Sequence, residues 1–219
     1  MNAHYLDELI VGVYLVQIIE LVFFPLPSEV TIHRLLRKYL TLETHSNKGW
    51  LIPSGRISLA FLYMTGTGIT VLTFCTPLII VLFPGIYEYL LPVQQLQSPF
   101  IVSVGIVFIV FGTVFTFGGV IQLSRLKTDR LKQSGLFGLT RNPINLGLMV
   151  IIAGMALCYP AWIMCCGAVI AILNLHNRTL MEEEVLAEKF DAAYRQYQAG
   201  TARYIPNLCH LFSPGDPSD

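Results

Sequence analysis

Charge is what this chain lacks most. Only 13% of its 219 residues are charged, against 54% hydrophobic, and soluble domains carry about 25% charged residues. A deficit of that size, gathered into long uncharged runs, excludes an ordinary soluble fold and points to one membrane domain. The 14 Lys and Arg balance the 14 Asp and Glu, so there is no basic excess of the kind that a nucleic-acid partner needs. Of five cysteines, four (Cys75, Cys158, Cys165 and Cys166) sit inside apolar runs, and no Cys-x-x-Cys spacing occurs. The five histidines, His4, His33, His45, His176 and His210, are scattered. Metal and redox chemistry are therefore not expected, and the thiols read as packing groups. No Lys or Arg precedes the first apolar run, and Asp7 and Glu8 stand where a signal peptide would be basic. That run is expected to remain as a helix.

Long apolar runs are what the chain has instead. A membrane helix needs ~20 apolar residues to cross a ~30 Å hydrocarbon core. Leu9–Leu26 qualifies, interrupted only by Gln17 and Glu20, and so do Ile57–Phe83 and Ile101–Leu123. The fourth run, Leu146–Leu175, carries no charge but is broken by Tyr159-Pro160. It forms either one long helix or a hairpin turned at Pro160. The cations choose between these. With the N-terminus outside, three spans and a returning hairpin put all 14 Lys and Arg on the cytoplasmic side, leaving none in 1–8 or 84–100. A single long helix would strand Arg178, Lys189, Arg195 and Arg203 outside. The expected fold is an all-α integral membrane protein of about five transmembrane helical segments, the last two a Pro-turned hairpin, with the C-terminus cytoplasmic.

Within that frame, residues 1–125 are expected to hold three helices and a cytoplasmic amphipathic loop at 27–56. Pro25-Leu-Pro27 ends the first helix there, and Ser28 caps a piece at Glu29–Leu40. Residues 126–206 are expected to hold the hairpin, at 144–176, and a cytoplasmic C-terminal helix. Residues 207–219 read as a disordered tail. Gly105, Gly112 and Gly119 fall at heptad spacing and predict a close-packing face for a neighbouring helix. Ile86–Leu96 is expected along the outer interface. Glu20 lies inside an apolar span, where an acid is a functional suspect by default, although a structural role is equally open.

The hairpin brings two polar runs to one membrane surface: Arg141-Asn142-Pro143 and Arg178-Thr-Leu-Met-Glu-Glu-Glu184. Arg178 and Glu182, four residues apart, share a helix face. Glu183 and Glu184 are expected in a solvated turn beyond the membrane.

The run Gly135-Leu-Phe-Gly-Leu-Thr-Arg141-Asn-Pro-Ile-Asn-Leu-Gly147 resembles the Gly-x-Tyr-x-x-x-Arg-His-Pro-x-Tyr-x-Gly element of the isoprenylcysteine carboxyl methyltransferase-like family, which is related to the phospholipid methyltransferases. Glu182-Glu183-x-x-Leu186-x-x-x-Phe190-Asp191-x-x-Tyr194-x-x-Tyr197 is similar to that family's Glu-Glu-x-x-Leu-x-x-x-Phe-Gly-x-x-Tyr-x-x-Tyr, and Arg203-x-Ile205-Pro206 closes the match. The resemblance covers roughly Gln122–Pro206. It implies a membrane-embedded methyltransferase with S-adenosylmethionine as cofactor and a lipid-like or lipid-attached acceptor entering from the bilayer. Cofactor-binding positions carried over are Gln122, Asp129, Arg130, Leu131, Lys132, Phe137, Asn142, Pro143, Ile144, Asn145 and Glu182. Arg178 matches the arginine that faces the substrate, with Arg141 beside it, and Arg178 and Glu182 stand as the catalytic pair. The chain departs from the pattern at Phe137, Asn142 and Asn145, which replace tyrosine, histidine and tyrosine, at Asp129 for histidine, and at Asp191 for glycine.

Methyl transfer from a sulfonium asks a protein mainly to position two reactants and exclude water. Arg178 suits an anionic acceptor such as a prenylcysteine carboxylate. An amine acceptor, as in phospholipid N-methylation, would need a base, for which Glu183 or Glu184 are the candidates. An NADPH-dependent membrane reductase and a non-catalytic scaffold are the other readings. The small size suits a bacterial inner membrane, or an endoplasmic reticulum membrane in a eukaryote, with the active site facing the cytoplasm.

Overall fold

A computed structural model describes residues 3–23, 56–125 and 131–204. The expected amphipathic piece at 29–40, the tail at 207–219, Asp129, Arg130 and the side chain of Glu20 lie outside the described residues. Among the described residues the fold is all-helical. Five long helices, α1 (Ala3–Phe23), α2 (Arg56–Leu82), α4 (Pro99–Ser124), α6 (Pro143–Cys158) and α7 (Trp162–Gly200), are joined by the short α3 (Ile86–Tyr89) and α5 (Leu136–Leu139). Among the described residues three helical stretches are long and apolar enough to cross a membrane: Thr65–Leu82, Pro99–Ser124 and Trp162–Gly200. With 16 residues, α6 reaches only roughly 24 Å at ~1.5 Å per residue, short of a ~30 Å hydrocarbon core.

Helix starts follow local chemistry. Ser98 caps α4 by accepting from the Ile101 N–H at 3.3 Å, and Pro99 takes the first position, where its missing N–H costs nothing. Pro143 does the same for α6. The α6–α7 turn lies at Tyr159–Ala161, so the run that was ambiguous in sequence is two helices. That turn is hooked to the α3–α4 connection: the Val93 N–H donates to the Pro160 carbonyl at 2.8 Å and the Trp162 N–H to the Leu91 carbonyl at 3.0 Å. The residues expected along the outer interface therefore brace the hairpin tip.

The tightest contact is between α4 and α6. Gly105, Gly112 and Gly119 face Gly154, Gly147 and Ile144. A Cβ at Gly105 would stand 2.8 Å from the Gly154 carbonyl oxygen, and one at Gly112 would stand 2.6 Å from that of Gly147. Neither atom can move without moving its helix. The heptad glycines thus form the expected packing face, and Gly147 and Gly154 answer them at the same seven-residue interval. α2 and α7 meet by a milder version: Gly167 lies under Thr73, and Asn174 Nδ2 donates to Thr70 Oγ1 at 3.2 Å. One apolar cluster (Ile10, Val13, Tyr14, Ile80, Ile109, Ile151, Met155) fills the end near the hairpin turn. A second (Met149, Ile152, Ala156, Ala168, Ala171, Leu175) joins α6 to α7. Large apolar side chains, including Val107, Phe108, Phe111 and Val114, point outward, as a lipid-facing surface requires.

α7 is broken at Asp191, whose φ of 38° and ψ of −110° are not helical. Without the break, a straight α7 would carry residue 200 about 25 Å beyond Glu183; instead Arg203 bonds to Glu183 at 2.9 Å. The chain therefore turns back at Asp191. That backbone resembles the one at Gly135 (φ 68°, ψ −132°), a region that glycine enters freely and aspartate does not.

Two expectations follow. Gly112→Val and Gly154→Val should each lower stability in detergent by about 3 kcal/mol or more, read as thermal unfolding by circular dichroism. Gly68→Ala, which meets nothing within 4 Å, should leave it unchanged or slightly higher. Asp191→Gly should raise stability by about 1 kcal/mol by relieving strain, because the Asp191–Arg195 pair it removes is 75% and 77% exposed and contributes little.

Candidate active site

The N-terminus of α6, the middle of α7 and the returning segment meet at one end of the bundle. Thr140, Asn142, Asn145, Thr179 and Glu183 are all buried there, each less than 9% exposed. Polar groups withdrawn from water must find partners, and these find one another.

Glu183 is the centre. Its Oε1 accepts from Asn142 Nδ2 at 2.9 Å and from Arg203 Nε at 3.1 Å. Its Oε2 accepts from Arg203 Nη2 at 2.9 Å, and Arg141 Nε lies 3.4 Å from Oε1. At 4% exposure this carboxylate is no solvated residue, which corrects the expectation for Glu183. The physical reason is tertiary: its partners are 41 and 20 residues away in sequence, beyond the reach of any local spacing. Only Arg141 and Arg203, each singled out within a motif, hinted at a buried countercharge. The bond to Glu183 holds the Arg203 proton more tightly than usual.

Glu182, the neighbouring residue, faces differently. Its Oε1 accepts from Arg178 Nε at 2.8 Å and its Oε2 from Asn145 Nδ2 at 2.8 Å, the same amide nitrogen donating to Thr179 Oγ1 at 3.0 Å. The Arg178 and Glu182 side chains keep 26% and 18% of their exposure, so this pair opens towards the surroundings. The structure thus brings together Arg141, Asn142, Asn145, Arg178 and Glu182. Pro143 and Ile144 pack beside them at the foot of α6, against Gly119.

Gln122 is placed otherwise. At the end of α4 its Oε1 accepts from the Leu136 N–H at 3.0 Å, and it would meet any Cβ at Gly135 at 2.5 Å. It secures the turn that opens α5 and leads to Phe137, whose carbonyl takes the Tyr197 hydroxyl. Leu131 and Lys132 are half-buried on the approach to that turn. Tyr204, which the motifs did not single out, closes the cluster with its hydroxyl 2.9 Å from His176 Nδ1. Burial raises its pKa.

The two glutamates should separate in their effects. Glu183→Ala leaves two arginines without their buried partner and should cost about 3–5 kcal/mol, whereas Glu182→Ala should cost about 1 kcal/mol or less. Thermal unfolding in detergent measures both.

The stretch that carries this geometry is also the one with a family signature. Residues 100–193 match the model of a family described as phospholipid methyltransferase, while neither the curated proteins nor the solved structures yield a match. The matched region runs from the glycine face of α4, through both glutamates, to the break at Asp191. Over that stretch the chain is similar to the phospholipid methyltransferase family, the membrane methyltransferases that its two motifs also resemble.

Proposed function

We propose that this protein transfers a methyl group from S-adenosylmethionine to a lipid-like or lipid-attached acceptor reached from the bilayer. The single observation that carries the reading is the polar cluster of buried Asn142, Asn145 and Glu183 with half-buried Glu182 at the foot of helices otherwise apolar. The donor set suits the cofactor. A carboxylate held by an amide and a guanidinium can receive an ammonium group from an amino-acid end, and side-chain amides suit an adenine edge. In this reading Glu182, Asn142 and Asn145 hold the cofactor. Gln122, Leu131, Lys132, Phe137, Pro143 and Ile144 line it, together with Asp129 and Arg130. Arg178, with Arg141 beside it, orients the acceptor's anionic group. The cofactor supplies an activated sulfonium methyl.

The protein's own work is positioning and drying. The apolar walls of α4 and α6 exclude water, which would otherwise compete as nucleophile. Holding the two reactants in line can account for much of the rate. Held by Glu182, Asn142 and Asn145, the cofactor would supply its methyl group to the acceptor's oxygen or nitrogen, with the electron pair of the broken carbon–sulfur bond staying on sulfur. A carboxylate acceptor, such as a prenylated cysteine, releases no proton. A phospholipid amine must lose one, and the family description favours this as the second reading. Glu183, with both oxygens engaged, is poorly suited as the base for it, while His176 lies two residues before Arg178, against Tyr204.

A short α6 starting at a buried Asn142 supports a site recessed below the headgroups, where an amphiphile arrives sideways. The distribution of cations supports that end being cytoplasmic. The helices before 125 act as scaffold and 126–206 as the cofactor-binding region.

The purified protein in lipid vesicles, given labelled S-adenosylmethionine and a total lipid extract, should yield a labelled lipid. Base-labile label marks an ester, and base-stable label an N-methyl group. Arg178→Ala should lower kcat/KM for the acceptor about 100-fold, about 2.7 kcal/mol. No transfer, together with no S-adenosylhomocysteine binding by calorimetry, would refute the proposal.

A further inference from the structure

The mechanism above uses Glu182 and leaves Glu183 without a chemical task, yet Glu183 is the more heavily invested of the two. A carboxylate at 4% exposure with two arginines around it is a poor source of stability, since desolvation offsets most of the attraction. What such a group does well is fix geometry. Its donors come from two places that the sequence keeps apart: Arg141 and Asn142 at the foot of α6, and Arg203 at the end of the returning segment.

That segment is stitched to the same short stretch throughout. Thr140 Oγ1 donates to the Arg203 carbonyl at 2.7 Å, the Arg141 N–H to the Ala202 carbonyl at 3.0 Å, and Arg141 Nη1 to the Gln198 carbonyl at 3.2 Å. The Tyr197 hydroxyl donates to the Phe137 carbonyl. Phe137, Thr140 and Arg141 are therefore bonded to the returning segment at Tyr197, Gln198, Ala202 and Arg203. The returning segment is also anchored by the buried rings of Tyr194 and Tyr197 and by the Tyr204 hydroxyl against His176, but its backbone gains little by itself. A helix of under ten residues is not stable alone in water, and the turn at Asp191 is strained against it.

Glu183 also sets the sense of one hydrogen-bonding group. Because Asn142 donates to it through Nδ2, the Asn142 amide carries its acceptor oxygen on the other corner. Turning the amide over would place two acceptors against each other.

We propose that Glu183 is a positioning residue, which latches residues 191–204 through Arg203 and Arg141 as a wall of the cofactor site and so sets cofactor affinity. The proposal rests on the methyltransferase reading. Arg203 keeps 36% of its side-chain exposure, so Arg203→Ala releases the latch with less risk to folding than a change at Glu183 itself, and Glu183→Gln serves as the second variant.

The test uses the full chain in vesicles with S-adenosylhomocysteine as the probe. Arg203→Ala and Glu183→Gln should each weaken its binding by about tenfold or more, while in Arg203→Ala, which leaves Arg141 on Glu183, KM for the lipid acceptor stays within about twofold. In the wild type the probe should slow hydrogen exchange of the amides in 194–204, and in Arg203→Ala it should not. Arg203→Lys should recover part of the affinity. Probe affinity within twofold of wild type in both variants would overturn the proposal, as would an equal fall for probe and acceptor in Arg203→Ala. Wild-type protein that binds no probe would overturn the methyltransferase reading and this proposal with it.

Discussion

The structure depends on two helices touching without side chains between them. α4 and α6 approach until a Cβ at Gly112 or Gly147 would stand 2.6 or 2.7 Å from the opposing carbonyl oxygen. In a membrane there is no hydrophobic gain from such contact, because lipid is as apolar as leucine, so close packing and directional contacts must supply the association. The register of this pair sets where α6 begins. That in turn sets the depth of Pro143, Asn142 and Asn145, and so of the whole polar cluster. A methyl added at the interface would shift the site without touching any polar side chain of the cluster.

With α6 located, the chemistry of its neighbour on α7 divides cleanly. Glu182 and Glu183 are adjacent in sequence and about 100° apart around the helix. One meets Arg178 and Asn145 and keeps some exposure; the other is enclosed by Arg141, Asn142 and Arg203. Two identical side chains thus take two roles because the helix turns them toward different surroundings. A low dielectric makes the enclosed cluster sensitive, since a missing partner there leaves charge without water to replace it.

The break at Asp191 serves the same arrangement. It reverses the chain so that its last described residues return to the foot of α6, at the expense of a backbone conformation foreign to aspartate. The glycine that the related motif carries here would adopt it freely. The enclosed ion cluster holds the returning segment against that strain, which explains how an unfavourable residue is tolerated.

The sequence by itself determined much of this. Charge scarcity specified a membrane protein, the position of Pro160 and the cations selected a hairpin, and the heptad glycines announced a packing face. The two motifs named the residues that would converge, and Arg141, Asn142, Asn145, Arg178 and Glu182 do converge. Each of those signals is local or periodic, a property of neighbours along the chain. What tertiary structure alone decided is who pairs with whom. Glu183 looked solvated because its nearest sequence neighbours are charged; only the hairpin and the turn at Asp191 bring it the partners that bury it. Gln122 secures the Gly135 turn for the same kind of reason, since its contact exists only once α4 and α5 are folded together. A residue's type and spacing state what it could bond, but burial and partner depend on chain segments that only folding brings within 3 Å.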